Sequence, residues 1–235
     1  MDQFARTRLL LGKDAVKRLH DVKVAIFGLG GVGSYAAEGL VRAGVSSFVL
    51  IDNDVIDATN INRQIIALHS TIGQAKVLVT KNRILDINPS ATVVTHKIFY
   101  SKDSDQTIFD GCDYVVDAID TISAKIALVE ECAQRNIPII SAMGTANKLN
   151  PMALEIADIF KTSVCPMCRM MRTELRKRGI SSLKVVYSKE KPIAPDIAND
   201  NVNLEEKRIL GSTPFVPPVA GLILANEVVK DIISR

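Results

Sequence analysis

The sequence predicts an α/β fold: a doubly wound, mostly parallel sheet with helices on both faces and a C-terminal extension. Three observations predict it. An apolar run, Lys23 to Phe27, leads straight into the glycine-rich turn Gly28-Leu29-Gly30-Gly31-Val32-Gly33. A helical stretch and a second apolar run, Ser47 to Ile51, then complete a βαβ unit of about 30 residues, the length a parallel crossover requires. Strand-like and helix-like stretches go on alternating to about Ser141.

Each element has a local reason. The run KVAIF reads as a buried strand, Ser34 to Ala43 as a helix closed by Gly44, and SFVLI as the next strand. A helix follows from about Gln74 to Asn88, with Val77, Leu78, Ile84 and Leu85 on one face and Pro89 as its stop. Strands at Thr92–His96 and Tyr114–Asp117, a helix at about Ser123–Asn136 and a strand at Ile137–Ser141 extend the alternation into a Rossmann-like order. Beyond Met143 the pattern changes. Ala153–Ile159 reads as a strand, Pro166–Arg178 as a basic helix with proline in its first turn and Gly179 as its stop, and Leu183–Tyr187 as a further strand. Ser188 to Thr213 is polar, carries Pro192 and Pro195 and lacks periodicity, which predicts a long mobile loop. The apolar positions of Val219–Ile233 suit a helix packing back on the sheet. The chain therefore reads as one domain over 1–235, with a nucleotide-binding core in 1–150 and an extension in 151–235.

With 235 residues and 47% apolar content, the chain can bury a core without disulfides or metals. A net charge of +3 gives no global field for nucleic acid, so any basic patch must be local. Four cysteines and no basic-then-apolar leader point to a reducing cytoplasm. No apolar run approaches the roughly 20 residues that span a bilayer.

The glycine turn, lying after a strand and before a helix, lets Gly28, Gly30, Gly31 and Gly33 bring backbone N–H groups close to phosphate oxygens. Asp52, with Asp54 just beyond it, ends the second strand where a carboxylate accepts ribose hydroxyls. This feature does not separate ATP from NAD. Asn60, Arg63 and Gln64 sit within one short polar stretch and can contact one phosphate chain, although a solvated turn would look the same. Lys76 opens a helix, where its charge opposes the dipole unless an anion is bound. Asp117 and Asp120 end the fourth strand, where a carboxylate can hold Mg²⁺ beside a triphosphate or, for Asp120, cap the next helix. Cys165-Pro166-Met167-Cys168 has zinc-ligand spacing, but a closed site needs four ligands, and Cys112 and Cys132 are isolated from one another. Thiols without a role, a redox pair at a helix N-terminus and a zinc site across a dimer stay open. Arg169, Arg172, Arg176, Lys177, Arg178 and Lys184 concentrate positive charge on and after one helix, a solvated surface or a phosphate-binding one. No aromatic residue is interleaved with them, so base stacking is not indicated.

Taken in order, R-x-L-L-L-G at Arg8, G-x-G-G-V-G at Gly28, D-x-D at Asp52, T-N-x-N-R-Q at Thr59, G-x-x-K at Gly73 and D-A-I-D at Asp117 resemble the ubiquitin-activating-enzyme-like adenylyltransferases. The later segments, Ala157–Thr162, Arg172–Gly179, Lys184–Pro192 and Gly211–Gly221, are similar to the tRNA threonylcarbamoyladenosine dehydratases. The sulfur-carrier activators are the nearest alternative, a class that adenylates the C-terminal glycine of a ubiquitin-like protein. They typically carry two CxxC pairs, and this chain has one. The resemblance implies that a threonyl carboxylate on a modified tRNA adenosine attacks ATP, and that the acyl-adenylate is captured by the neighbouring carbamoyl group. It implies Arg63, Lys76 and Asp120 as catalytic groups, with Mg²⁺ on Asp120. It also implies a homodimer in which Arg8 reaches into the partner's site. The expected cofactors are ATP and Mg²⁺, with a monovalent cation as a further candidate and no zinc. The expected partners are tRNA, held by Arg169, Arg172, Arg176, Lys177 and Arg178, a second copy of the chain, and sulfur-transfer proteins as candidates, with no membrane. A nicotinamide oxidoreductase would share the glycine turn and Asp52, yet has no use for Arg63, Gln64, Lys76 and Asp120 as a set.

Overall fold

The computed structural model describes residues 2–194 and 210–234. Most of the proposed 188–213 loop, residues 195–209, therefore lies outside the described residues. Two short helices that the pattern did not reveal, α1 (Ala5–Leu11) and α2 (Lys13–Asp21), precede the sheet. Then come β1 (Lys23–Phe27), α3 (Gly33–Ala43), β2 (Ser47–Ile51), α4 (Lys76–Ile87), β3 (Thr92–His96), β4 (Tyr114–Asp117), α5 (Ile122–Arg135) and β5 (Ile139–Ala142). The extension adds β6 (Leu154–Asp158), α6 (Pro166–Lys177), β7 (Lys184–Ser188) and α7 (Val216–Ile233).

The seven strands lie in the order β3-β2-β1-β4-β5-β7-β6, all parallel to their neighbours except the β6 edge. The chain winds outward from β1 to β3, then returns to β4 on the other side of β1. That reversal opens a crevice at the carboxyl ends of β1 and β4. Alternate strand residues feed opposite layers. Val24, Ile26, Phe48 and Leu50 pack with α2, α3, α4 and α7, while Ala25, Phe27, Val49 and Ile51 pack with α5. Burying each of these side chains larger than alanine stabilises the fold by roughly 1.5–3 kcal/mol. In α4 only part of the expected stripe is buried: Val77 and Ile84 are inside, whereas Leu78 is 52% exposed. A spacing of one residue turns a helical side chain by about 100°, so 77 and 78 cannot both face the core.

Close helix contacts fix the crevice. A Cβ on Gly221 of α7 would lie 2.2 Å from the Val32 carbonyl oxygen, so only glycine lets α7 reach the start of α3. Glu38 of α3 ties in α4, with its Oε2 2.6 Å from Arg83 Nε and its Oε1 2.7 Å from Arg42 Nε. Burial pushes the Glu38 carboxyl up, and the hydrogen bonds from Arg83 and Arg42 more than reverse it, leaving it below its ordinary pKa.

Candidate active site

At the switch point lies a cleft of about 390 Å³. The glycine turn forms one wall. Gly28, at φ +84°, would drive a Cβ to 2.7 Å from the Ala118 carbonyl oxygen, and Gly33 would drive one to 1.8 Å from Gly28 O. Gly33 thus serves helix-against-turn packing and does not line the cleft, while Gly28, Gly30 and Gly31 do. No side chain caps the N-terminus of α3, which leaves its first-turn N–H groups to an anion.

Asp52 closes the opposite side. Its Oδ2 accepts from Leu29 N at 2.6 Å and its Oδ1 from Asp54 N at 2.8 Å. Burial raises its pKa despite those two bonds and the nearby Lys76 charge. Each oxygen keeps a lone pair for a further donor such as a ribose hydroxyl. Asp57 caps the 3-10 turn Ala58–Asn60, and Asn60 Oδ1 in turn accepts from Asp57 N. This rigid turn sets the direction of the next residues. Arg63 is held by neutral oxygens, Thr59 O and Asn62 Oδ1, both at 2.9 Å, and among the described residues it meets no carboxylate. Its charge therefore stays available to phosphate. Gln64 is buried in the wall with Oε1 unpartnered, an acceptor that lacks its donor until something enters the cleft.

Lys76 is the first residue of α4. It is buried, and its Nζ lies 2.7 Å from Asp54 Oδ2 at the cleft. The two aspartates at the end of β4 part company. Asp120 lines the cleft and is exposed, touched by the Thr121 hydroxyl at 3.3 Å. Asp117 is wholly buried, 2.8 Å from Lys125 Nζ, and accepts from Ile119 N. It is therefore no metal candidate, because its charge is already neutralised inside the fold. Thr121, not Asp120, is the N-cap of α5, and it makes no side-chain cap bond.

Sequence reasoning missed part of the floor, namely Met143, Gly144 and Met167, and the rim at Leu210, Ser212 and Pro217. The rule that points to Asp120, the carboxyl end of a strand beside the switch point, applies equally to the end of β5 and would have found Met143 and Gly144.

The other expected residues lie outside the cleft. Arg8 sits on α1 and pairs with its own Asp2 at 2.8 Å. On α6, Arg169 is exposed and, among the described residues, has no acidic partner. Arg176 is exposed over the Phe160 ring, 5.2 Å from its centroid. Arg172 turns inward to the Ile159 and Thr162 carbonyls and the Thr162 hydroxyl. Lys177 pairs with Glu174, Arg178 with Glu174 and Glu130, and Lys184 with Glu227 and Asp231. Among the described residues, no helix is long and apolar enough to cross a membrane.

Known proteins match this chain over its full length. The ThiF family model matches residues 4–235. A tRNA threonylcarbamoyladenosine dehydratase of Bacillus subtilis is 46% identical, covering 100% of this chain and 96% of its own. The E. coli tRNA N6-threonylcarbamoyladenosine dehydratase in complex with ATP superposes with a TM-score of 0.89 at 30% identity, over 99% of this chain and 94% of that one. A molybdopterin-synthase adenylyltransferase of Salmonella typhimurium is 32% identical over only 55% of this chain. The chain belongs to the ThiF family and, within it, to the tRNA threonylcarbamoyladenosine dehydratases.

Proposed function

We propose that this protein uses ATP to cyclise threonylcarbamoyladenosine in tRNA, with loss of water. The observation that carries this reading is the cleft itself. Arg63 and Lys76 converge on the space beside the glycine turn, in a chain that matches dehydratases from end to end. The threonyl carboxylate attacks the α-phosphorus of ATP, pyrophosphate leaves, and an acyl-adenylate results. The carbamoyl nitrogen or oxygen of the same side chain then attacks the activated carbonyl, and AMP leaves. Arg63, Lys76 and the N-terminus of α3 stabilise charge on the phosphates as the displacement proceeds. Asp52 holds the ribose, and Gln64 Oε1 takes a donor from the nucleotide. The second step needs little more than proximity.

Asp120 suits Mg²⁺, which is commonly held by one or two carboxylates together with substrate phosphates. When bound there it supplies further neutralisation of phosphate charge. Arg169 and Arg176 present the unneutralised part of the α6 surface to tRNA, with Lys177 and Arg178 beside them. A second copy of the chain supplies Arg8, and the reaction belongs in the cytoplasm.

The test is to incubate tRNA carrying threonylcarbamoyladenosine with the protein, ATP and Mg²⁺, then weigh the nucleosides. A species lighter by one water supports the proposal. No such species, together with pyrophosphate exchange that depends on a sulfur-carrier protein, overturns it in favour of carrier activation. For the tRNA face, Arg169→Glu with Arg176→Glu should weaken tRNA binding at least roughly tenfold at low salt and leave ATP binding unchanged. Equal loss of both would remove α6 from the tRNA surface.

A further inference from the structure

The cleft has two halves, and the nucleotide accounts for one of them. Asp52 follows β2 and the glycine turn follows β1, so ribose and phosphates belong on the side toward β2 and β3. Beyond β4 the lining continues with Gly144, Thr145 and Ala146 after β5, Met167 of α6, and Leu210 and Ser212. Among the described residues, every charged side chain of the lining, Asp52, Asp54, Arg63, Lys76 and Asp120, comes from segments before α5. The β5 half carries none.

That half is polar at one place, and it is braced there. Ser212 Oγ is shielded from solvent and hydrogen-bonds to no atom among the described residues. A hydroxyl so placed destabilises the fold until a ligand supplies its partner. Two asparagines fix the segment that carries it. Asn62 Nδ2 donates to Ser212 O at 3.0 Å, while Asn62 Oδ1 accepts from Arg63 at 2.9 Å, so one amide joins this rim to the cation beside the glycine turn. Asn147 clasps the residue before Ser212 from two sides: its N–H donates to Gly211 O at 2.8 Å, and its Oδ1 accepts from Gly211 N at 2.7 Å. Its carbonyl accepts from Ile193 N at 2.8 Å. Asn147 sits at φ +58°, in the left-handed region, and these three bonds hold it there.

We propose that the β5 half is the acceptor subsite, where Ser212 recognises the uncharged urea and threonyl hydroxyl of the modified adenosine, and Asn147 and Asn62 are the positioning residues of Ser212. The identity of the acceptor rests on the cyclisation reading. A serine hydroxyl both donates and accepts, which matches a urea or a threonyl hydroxyl equally well. Met167 and Leu210 offer the threonyl methyl an apolar surface. The carboxylate is the charged group of that side chain, and a wall without cations gives it no partner. It is therefore turned toward the phosphates and Arg63, the direction in which it must attack, and Asn62 sets the distance between the two ends.

The experiment saturates the full-length protein with a non-hydrolysable ATP analogue, then measures its affinity for tRNA carrying threonylcarbamoyladenosine and for the same tRNA without the threonylcarbamoyl group. The unaltered protein should prefer the modified tRNA by about tenfold or more. Ser212→Ala should lose several-fold of that preference and leave affinity for ATP and for the unmodified tRNA unchanged. Asn147→Gly keeps a left-handed backbone but removes Oδ1, and should lose a similar share. Asn147→Asp keeps an acceptor for Gly211 N and should retain the preference, whereas a merely structural role would weaken ATP and both tRNAs alike. No preference in the unaltered protein, an undiminished preference in Ser212→Ala, or an equal loss of ATP binding would each overturn the proposal. The preference is read without turnover. A protein that shows it yet forms no cyclised nucleoside would sink the cyclisation reading and leave the subsite standing.

Discussion

Lys125 and Asp117 make an ion pair at 2.8 Å with neither side chain exposed, at the end of β4 beside the glycine turn. Removing one partner leaves an uncompensated buried charge, so Lys125→Met should cost about 3–5 kcal/mol of stability in urea unfolding. Adding Asp117→Leu should restore most of that loss, because neither desolvated charge then remains. A double variant no more stable than Lys125→Met would show that the pair is not the cause. The same pair explains a limit on reading the sequence. In D-A-I-D the two aspartates look equivalent, and what separates them is a lysine eight positions after the first, in a helix with no sign that it turns inward. Lys76 is buried for a similar reason: Asp54, 22 positions earlier, meets its Nζ. Ion pairs between segments are set by packing, and periodicity carries no trace of them.

Helix α1 is the element whose sequence made least sense alone. It buries none of its residues, and Leu9 and Leu10 are 86% and 85% exposed. Phe4 lies against Gly44, at the end of α3 away from the cleft, and 11 residues of helix set those ends roughly 16 Å apart. Arg8 does not line its own cleft, as the proposed sharing between two copies requires. Leu9→Asp with Leu10→Asp should remove about 3 kcal/mol or more of apolar burial per protomer and yield monomers in sedimentation. Mixing Arg8→Ala with Lys76→Ala chains should restore part of the pyrophosphate exchange each lacks, since hybrids hold one intact composite site. No restoration in verified hybrids would count against sharing. Strands β1 to β5 and their helices were legible because their stripes face the chain's own core. A helix whose apolar side chains face outward offers that kind of reading nothing to find. The α6 surface was legible only in part, because Glu130 of α5 neutralises Arg178, and Glu227 and Asp231 of α7 neutralise Lys184, acids far away in sequence.

At the scale of the molecule, the cleft gathers the glycine turn, the end of β2, the Asn60–Gln64 segment, Lys76, Asp120 and the floor after β5 around one switch point. The glycine turn was legible by its spacing between a strand and a helix, and the next four because each carries a polar residue that a core has no use for; the apolar floor, Met143 and Met167, carries no such mark. A shared cleft makes a testable distinction between nucleotides. On the proposed reading ATP places a triphosphate beside Arg63 and Lys76, whereas NADH offers a diphosphate bridge and a second nucleoside, and leaves those cations without their anion. ATP at about 100 times its dissociation constant should add about 2.7 kcal/mol to stability. For a chain of this size that corresponds to a rise in Tm of roughly 5–10 °C. Lys76→Ala should lose most of the rise at the same ATP concentration, because the buried ammonium at the phosphates is gone while the glycine turn and Asp52 stay. Differential scanning fluorimetry with ATP, NADH and no ligand decides the matter. A larger shift with NADH, or a full ATP shift in Lys76→Ala, would mean that the glycine turn and Asp52 alone set the ligand, and that the cations beside them serve the surface.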